Sequence, residues 1–131
     1  MPITGSCLCG QISYTISAPL ENARCCHCSR CRKVFGGPSS AYAEVKTGSF
    51  SWTRGQGNLK QYDTTDHWGL VFCGRCGSAL AGVLDDEVHG IVLGTVDGDP
   101  GVEISMHIHV ASKASWDHIC GDAPQFPEGP E

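Results

Sequence analysis

The sequence lacks an excess of positive charge: nine Lys and Arg residues against fourteen Asp and Glu residues give a formal net charge of -5. A nucleic-acid or anionic-membrane surface needs a basic face, so we expect no nucleic-acid and no membrane partner. No apolar run approaches the roughly 20 residues of a membrane span, and the first ten residues lack the basic start and apolar stretch of a secretory signal. We therefore expect a soluble, cytoplasmic protein.

Several catalytic signatures are also missing. The chain contains no GxSxG sequence, no glycine loop of the kind that cradles phosphates, and no interleaved stripe of basic and aromatic residues. These absences argue against a serine hydrolase, a nucleotide-dependent enzyme and a nucleic-acid-binding protein.

Methionines are few and long amphipathic helices are hard to find, whereas glycine (17) and proline (7) are frequent. This composition favours an all-β fold in which turns join short strands. Apolar or alternating runs predict strands at 11–16, 40–45, 50–53, 59–62, 68–72, 89–96 and 102–110. Only residues 29–34 predict one or two helical turns, which Gly36 ends. A length of 131 residues indicates one domain, here 1–120, followed by a Pro-, Gly- and acid-containing tail at 121–131.

Nine cysteines are unexpected in a reducing compartment, where disulfides are rare, and metal binding accounts for them. A CxC pair at Cys7 and Cys9 is followed by Gly10, and a CxxC pair at Cys73 and Cys76 is followed by Gly77. In such knuckles the glycine adopts a positive φ and backbone amides face the thiolates. Two knuckles supply the four thiolates of a closed structural zinc site. The alternative is a disulfide framework or unpaired buried thiols, which the odd number and close spacing disfavour.

A third cluster, Cys26, Cys28 and Cys31, is one ligand short of a closed site. A zinc with three protein ligands keeps an open position, which is typical of a catalytic metal. Cys28 falls at the start of the predicted helix, where exposed amides favour thiolates. Three alternatives remain: Cys25 or His27 completes a second structural site, the cluster is a redox CxxC, or it is metal-free with reactive thiols. The remaining cysteine, Cys120, is interpreted as a buried or surface thiol.

Cations and aromatic residues give weaker signals. Arg30, Arg32 and Lys33 adjoin the three-cysteine cluster and could receive substrate carboxylates. His107 and His109 are predicted to share one face of a strand, and Trp116 with His118 could cover a pocket. Ordinary packing or surface positions are the more common explanation for the histidines and for Trp116.

The order of these motifs resembles one known family. Gly5-Ser6-Cys7-Leu8-Cys9-Gly10, Cys26-His27-Cys28-Ser29-Arg30-Cys31-Arg32-Lys33, Phe72-Cys73-Gly74-Arg75-Cys76-Gly77 and the late segment from His107 to Trp116 are similar to the glutathione-dependent formaldehyde-activating enzyme family. The resemblance implies a β-tent fold of short antiparallel sheets pinned by a structural zinc. It also implies two zincs per chain, a structural one at Cys7, Cys9, Cys73 and Cys76 and a catalytic one at Cys26, Cys28 and Cys31.

The resemblance further implies a carbon-sulfur lyase that forms S-hydroxymethylglutathione from glutathione and formaldehyde. Its partners would then be a thiol such as glutathione and a small aldehyde, held by Arg30, Arg32, Lys33, His109 and Trp116. Two alternatives belong to other functional classes. One is a thiol-binding or carrier protein without turnover, and the other is a zinc-stabilised interaction module like centromere protein V, a eukaryotic relative.

Overall fold

The computed structural model describes residues 2–64 and 66–130, so the outermost residues of the predicted domain and tail, Met1 and Glu131, lie outside it. Within the described residues the fold is mostly β, which confirms the all-β class. The strands are β1 Ile3–Ser6, β2 Ser13–Ile16, β3 Glu21–Cys26, β4 Ser40–Glu44, β5 Phe50–Arg54, β6 Leu59–Asp63, β7 Trp68–Cys73, β8 Ala79–Leu84, β9 Glu87–Val92 and β10 Met106–Ile108. The single α-helix of this part of the chain is α1, Ser29–Phe35.

The strands form two sheets. A three-stranded antiparallel sheet has the order β1-β2-β5, and a seven-stranded sheet has the order β10-β3-β4-β9-β8-β7-β6. Neighbours in the larger sheet are antiparallel except β10, which runs parallel to β3. The larger sheet therefore carries sequence-distant segments side by side, and β4, β9 and β8 lie next to one another at its middle.

Each sheet contributes side chains to one apolar core. Tyr14 and Ile16 of the small sheet pack with Val71, Val83 and Ile91 of the large one, and all five are buried. Because successive side chains of a strand point to opposite faces, alternate residues of β4, β7, β8 and β9 project away from this core. That second face of the large sheet carries the cavity described below.

Helix α1 begins and ends where its sequence predicts. Cys28 is the N-cap and its sulfur accepts a hydrogen bond from the Cys31 amide, while Gly36 ends the helix with a left-handed φ of 65°. The predicted helical turns at 29–34 are confirmed. Among the described residues no helix is long and apolar enough to cross a bilayer.

Two predicted strands are wrong in extent and three strands were not predicted. The run at 89–96 is a strand only to Val92 and then forms a 3-10 turn at Leu93–Thr95, and within 102–110 only Met106–Ile108 is a strand. Strand β3 was missed because Glu21 and Asn22 are polar, and β8 because its apolar residues do not alternate. Strand β1 is four residues long and gives too short a pattern.

The C-terminal tail lies along β10 and the turn that follows it. Five backbone hydrogen bonds join the two segments: the amides of His107, His109, Val110 and Ala111 donate to tail carbonyls, and the Phe126 amide donates to the His107 carbonyl. Donor–acceptor distances in this set range from 2.7 to 3.1 Å. The tail is thus extended and docked on the seven-stranded sheet.

Candidate metal centres and the adjoining cavity

The structure brings the two outer cysteine pairs together. The sulfurs of Cys7, Cys9, Cys73 and Cys76 all lie within 4.8 Å of one another. The Cys7 and Cys9 sulfurs are 3.6 Å apart, and the Cys9 and Cys73 sulfurs are 3.9 Å apart. Sulfurs bound tetrahedrally to one zinc at about 2.3 Å stand roughly 3.8 Å apart. The four-cysteine cluster therefore has the composition and spacing that a closed zinc site requires.

Backbone geometry explains why the two pairs converge. Gly10 and Gly77 have φ values of 78° and 82°, which confirms the positive φ predicted for both. The turns aim amides at the sulfurs: Ile12 N donates to Cys7 Sγ at 3.3 Å and Cys76 N donates to Cys73 Sγ at 3.4 Å. Such hydrogen bonds stabilise thiolates, and therefore they favour metal binding. A hydrogen bond from the Ser78 hydroxyl lowers the pKa of the Cys76 thiol to about 5.

The second cluster joins the end of β3 to the start of α1. The sulfurs of Cys26, Cys28 and Cys31 lie within 4.8 Å of one another. In residues 2–64 and 66–130, no fourth cysteine, histidine or carboxylate places a ligand atom within that distance of all three. The hydrogen bond between Cys26 and Cys31 raises the pKa of Cys26 and lowers that of Cys31 to about 6. The three sulfurs thus suit one metal ion.

His27 and Cys25 stand apart from this cluster. The His27 ring is buried, its Nε2 lies 3.0 Å from His107 Nδ1, and its Nδ1 lies 3.8 Å from Asp117 Oδ2. Burial lowers the pKa of His27. Cys25 is half-buried and pairs in register with His107, while Cys120 is exposed. In this part of the chain neither Cys25 nor His27 supplies the fourth ligand, so the structure does not favour a second closed site.

A cavity of about 310 Å³ opens beside the three-cysteine cluster. Cys28 and Cys31 form one end of it, together with Arg30. The rest is mainly apolar and comes from α1 and from the outer face of the seven-stranded sheet, including Val34, Phe35, Leu70 and Val92 together with the aromatic residues Tyr42, Tyr62 and Trp68. Its volume falls at the lower end of the range for small-molecule sites.

Of the five residues predicted to contact substrate, Arg30 lines this cavity. Its Nη1 lies 3.3 Å from Asp66 Oδ2. Arg32 and Lys33 are in the last turn of α1, and Trp116 is 65% exposed. The roles of these residues remain predictions.

The strand predicted to carry both late histidines ends before the second one. His109 follows β10, and it has a left-handed φ of 55° at the start of the 3-10 turn Val110–Ser112. The prediction that it shares a strand face with His107 is therefore wrong, because β10 ends at Ile108 and His109 lies outside it. Its imidazole nevertheless contributes electrostatically to the lowered pKa of the Cys31 thiol.

Sequence reasoning missed the apolar wall of the cavity. The sequence pattern places three aromatic residues of this wall in predicted strands and gives no sign that they share a cavity: Tyr42, Tyr62 and Trp68. It likewise gives no role to Gly82 and Gly90. A glycine inside a strand pattern is itself a signal, because it marks places where another group approaches the backbone closely. Two such glycines in neighbouring strands could have indicated the floor of a site.

Comparison with known proteins was consistent with these features. A family model described as glutathione-dependent formaldehyde-activating enzyme matches residues 2–112. Among solved structures, the crystal structure of a Rhodobacter sphaeroides protein is similar, with a TM-score of 0.58 and 26% sequence identity. That match covers 73% of this chain and 89% of the other chain. The span matched by the family model contains both cysteine clusters and all the cavity residues named above.

Proposed function

Because the chain belongs to the glutathione-dependent formaldehyde-activating enzyme family, we propose that it is a zinc-dependent enzyme of the carbon-sulfur lyase type. It joins a thiol, such as glutathione, to a small aldehyde, and with formaldehyde the product is S-hydroxymethylglutathione. In this reaction the thiol sulfur bonds to the carbonyl carbon and the thiol proton ends on the carbonyl oxygen. No oxidant or reductant is needed.

One observation carries the proposal: three sulfurs that suit a single metal border an open cavity. A closed structural site is surrounded by its four protein ligands, whereas a catalytic site keeps one position for water or substrate. Cys26, Cys28 and Cys31 form the incomplete set, and Cys28 and Cys31 line the cavity. A reacting thiol that enters this cavity would therefore reach the unfilled side of the cluster.

The two cysteine clusters would hold two zincs with different roles. Cys7, Cys9, Cys73 and Cys76 would hold a structural zinc that pins the sheets of a β-tent, and Cys26, Cys28 and Cys31 would hold the catalytic one. Zinc bound there supplies a Lewis acid that favours the thiolate form of a thiol and stabilises negative charge on oxygen. We assign the protein to the cytoplasm, where thiols stay reduced.

The chain's own side chains would orient the thiol. Arg30 lies at the cysteine end of the cavity and can exchange its ion pair with Asp66 for a substrate carboxylate, because both groups are largely exposed. Arg32, Lys33, His109 and Trp116 are proposed to complete the contacts to the polar part of glutathione. The apolar cavity wall would limit the access of water to the reacting atoms.

The test is the exchange rate between formaldehyde and glutathione, measured by NMR with zinc-loaded protein. We expect exchange faster than the uncatalysed reaction, loss of the acceleration in Cys31→Ser, and full retention in Cys120→Ser, whose thiol is exposed. The two variants each remove one thiol, so the second controls for general effects of the substitution. Glutathione binding without any acceleration by the wild-type protein would instead indicate a thiol-binding protein and overturn the enzymatic proposal.

A further inference from the structure

The floor of the cavity is a pair of glycines. Gly82 of β8 and Gly90 of β9 are direct partners in the sheet, and Gly82 also pairs with Leu70 of β7. A Cβ built on Gly82 meets one atom within 4 Å, the Trp68 ring at 3.8 Å, so packing does not require glycine there. At Gly90 the corresponding Cβ position lies 3.4 Å from the Tyr42 ring, so Tyr42 covers that glycine. Gly82 therefore leaves an area of bare backbone, bordered by Tyr42 and Trp68, where the strand would otherwise present a side chain. Such an area suits a flat ligand group that lies against the sheet.

The wall and the rim of the cavity are apolar. Val34 of α1, Tyr62 of β6 and Trp68 of β7 line it, and all three are substantially exposed, Tyr62 at 67% and Trp68 at 42%. Exposed aromatic residues around a concave apolar surface are typical of ligand entry sites. Arg24 stacks over the Tyr42 ring, with its guanidinium carbon 5.6 Å from the ring centroid. That contact holds the Tyr42 ring in place, and Tyr42 covers the inner part of the cavity.

Charge is confined to one end. Among the described residues that line the cavity, Arg30 is the one Lys, Arg, Asp or Glu side chain; it is paired with Asp66 and lies at the same end as the cysteine thiols. A charged group placed deep in such a site would lose hydration without a partner, which costs several kcal/mol or shifts its pKa. Glutathione carries several charges, so its polar body fits the Arg30 end and leaves the apolar remainder of the cavity for a different group.

We propose that the aldehyde handled at this site carries an apolar group, either aromatic or branched aliphatic, which lies over Gly82 while its carbonyl faces Cys28 and Cys31. This inference rests on the proposed thiol addition and specifies its substrate class. The bonds made and broken are the same as with formaldehyde: sulfur bonds to the carbonyl carbon, and the thiol proton moves to oxygen. Formaldehyde would leave the apolar part of the cavity unfilled.

The kinetic test compares benzaldehyde with formaldehyde as partners of glutathione, each rate divided by its uncatalysed rate. The wild-type protein is expected to accelerate benzaldehyde at least about tenfold more than formaldehyde, since a buried apolar group supplies binding energy of that order. Gly82→Leu fills the cavity and should abolish this preference, so that the ratio of the two accelerations in the variant falls to about one. Gly82→Ala adds one methyl group, and it should retain most of the preference.

A binding test measures whether the cavity takes up an aromatic ring, independently of thiol addition. Benzyl alcohol has the same ring and cannot add a thiol, and in the wild-type protein it should shift the amide NMR signals of Gly82 and Gly90 saturably. Gly82→Leu should remove these shifts. Equal acceleration of both aldehydes, or no binding of benzyl alcohol, would overturn the apolar-aldehyde assignment and leave thiol addition standing. Binding of benzyl alcohol with no acceleration of either aldehyde would contradict thiol addition itself, and with it the aldehyde assignment.

Discussion

The sulfurs of Cys9 and Cys73 lie 3.9 Å apart although 64 residues separate them in the sequence. Cys9 lies in the loop between β1 and β2 of the small sheet, and Cys73 ends β7 of the large one. A metal that binds both therefore links the two sheets, between which the core is packed. Without the metal, nothing covalent replaces that link, because all nine cysteines are free thiols.

The first prediction concerns this link. Cys76→Ser removes one of four ligands, and we expect it to lose the metal of the four-cysteine cluster and most of its cooperative unfolding transition. The reason is that binding energy of a structural zinc is folding energy, and a domain has only about 5–15 kcal/mol of stability in total. Circular dichroism melting with zinc analysis measures both. Cys120→Ser is the matched control, and a Cys76→Ser protein that melts like wild type would refute the structural role.

The second prediction concerns Gly55, which lies against the backbone that follows the Cys7–Gly10 turn. A Cβ on Gly55 would lie 1.9 Å from the Gln11 carbonyl oxygen, at a φ of 78°. Gly48 has a similar φ of 85° with nothing within 4 Å of its Cβ position. Gly48→Ala should therefore cost only the left-handed backbone penalty of about 1–2 kcal/mol. Gly55→Ala adds a backbone clash and should cost at least about 2 kcal/mol more in denaturant unfolding; equal losses would contradict the contact.

The third prediction concerns alkaline pH and Tyr14. Burial raises the pKa of Tyr14 to about 12, with the Asp97 carboxylate acting in the same direction and the Thr95 hydroxyl, at 2.8 Å, against it. A buried phenol that resists ionisation stabilises the fold fully below its unfolded pKa of about 10, and that contribution is lost as pH rises toward 12. Between about pH 9.5 and 11.5 one such group reduces the free energy of unfolding by about 2 kcal/mol.

The control for this effect is Tyr14→Phe, which cannot ionise. Its unfolding free energy should be lower near neutral pH by about 1 kcal/mol, because the hydrogen bond to Thr95 is lost. Its decline with alkaline pH should be shallower than that of the wild type by about 2 kcal/mol. Burial also raises the pKa of Tyr42 to about 12, so a residual decline is expected in the variant. Parallel curves would show that Tyr14 ionises as freely in the folded protein as in the unfolded chain.

The fourth prediction concerns the tail. A chain ending at residue 120 is expected to keep both metals and a cooperative transition, because both cysteine clusters and the buried core lie within 2–120. It should lose about 2 kcal/mol or more, since five backbone hydrogen bonds to residues 107–111 disappear. Chemical unfolding and zinc analysis test this. A truncated chain that fails to fold would place the domain boundary beyond residue 120.

Local chemistry made the cysteine-bearing turns predictable. Gly10, Gly77 and Gly36 adopt the left-handed φ that their sequence positions indicate, and Cys28 caps the helix that follows it. Spacing thus indicated both cysteine clusters, and the Gly36 stop signal indicated the end of the one α-helix found in residues 2–64 and 66–130. These features depend on residues close together in the chain, whose geometry is set by backbone sterics.

The cavity was not predictable in the same way. Tyr62, Leu70, Gly82 and Gly90 form one row across four strands only because β6, β7, β8 and β9 pair in this register. Irregular pairing at Val71/Phe72 and Gly82/Val83 shifts that register. No feature of the local sequence predicts these two shifts. Similarly, β10 ends at Ile108 because His109 takes a left-handed φ of 55°, so the alternating pattern of 102–110 overestimated the strand.

The most direct test of two unlike metal centres is zinc content combined with zinc X-ray absorption, on wild type and on Cys31→Ser. We predict two zincs per wild-type chain with an average of about 3.5 sulfur ligands and a light-atom contribution, since one site has four sulfurs and the other three. Cys31→Ser should fold, retain one zinc and show four sulfurs. Two zincs each with four sulfurs, or a Cys31→Ser protein with unchanged zinc content and sulfur coordination, would contradict the open three-cysteine centre.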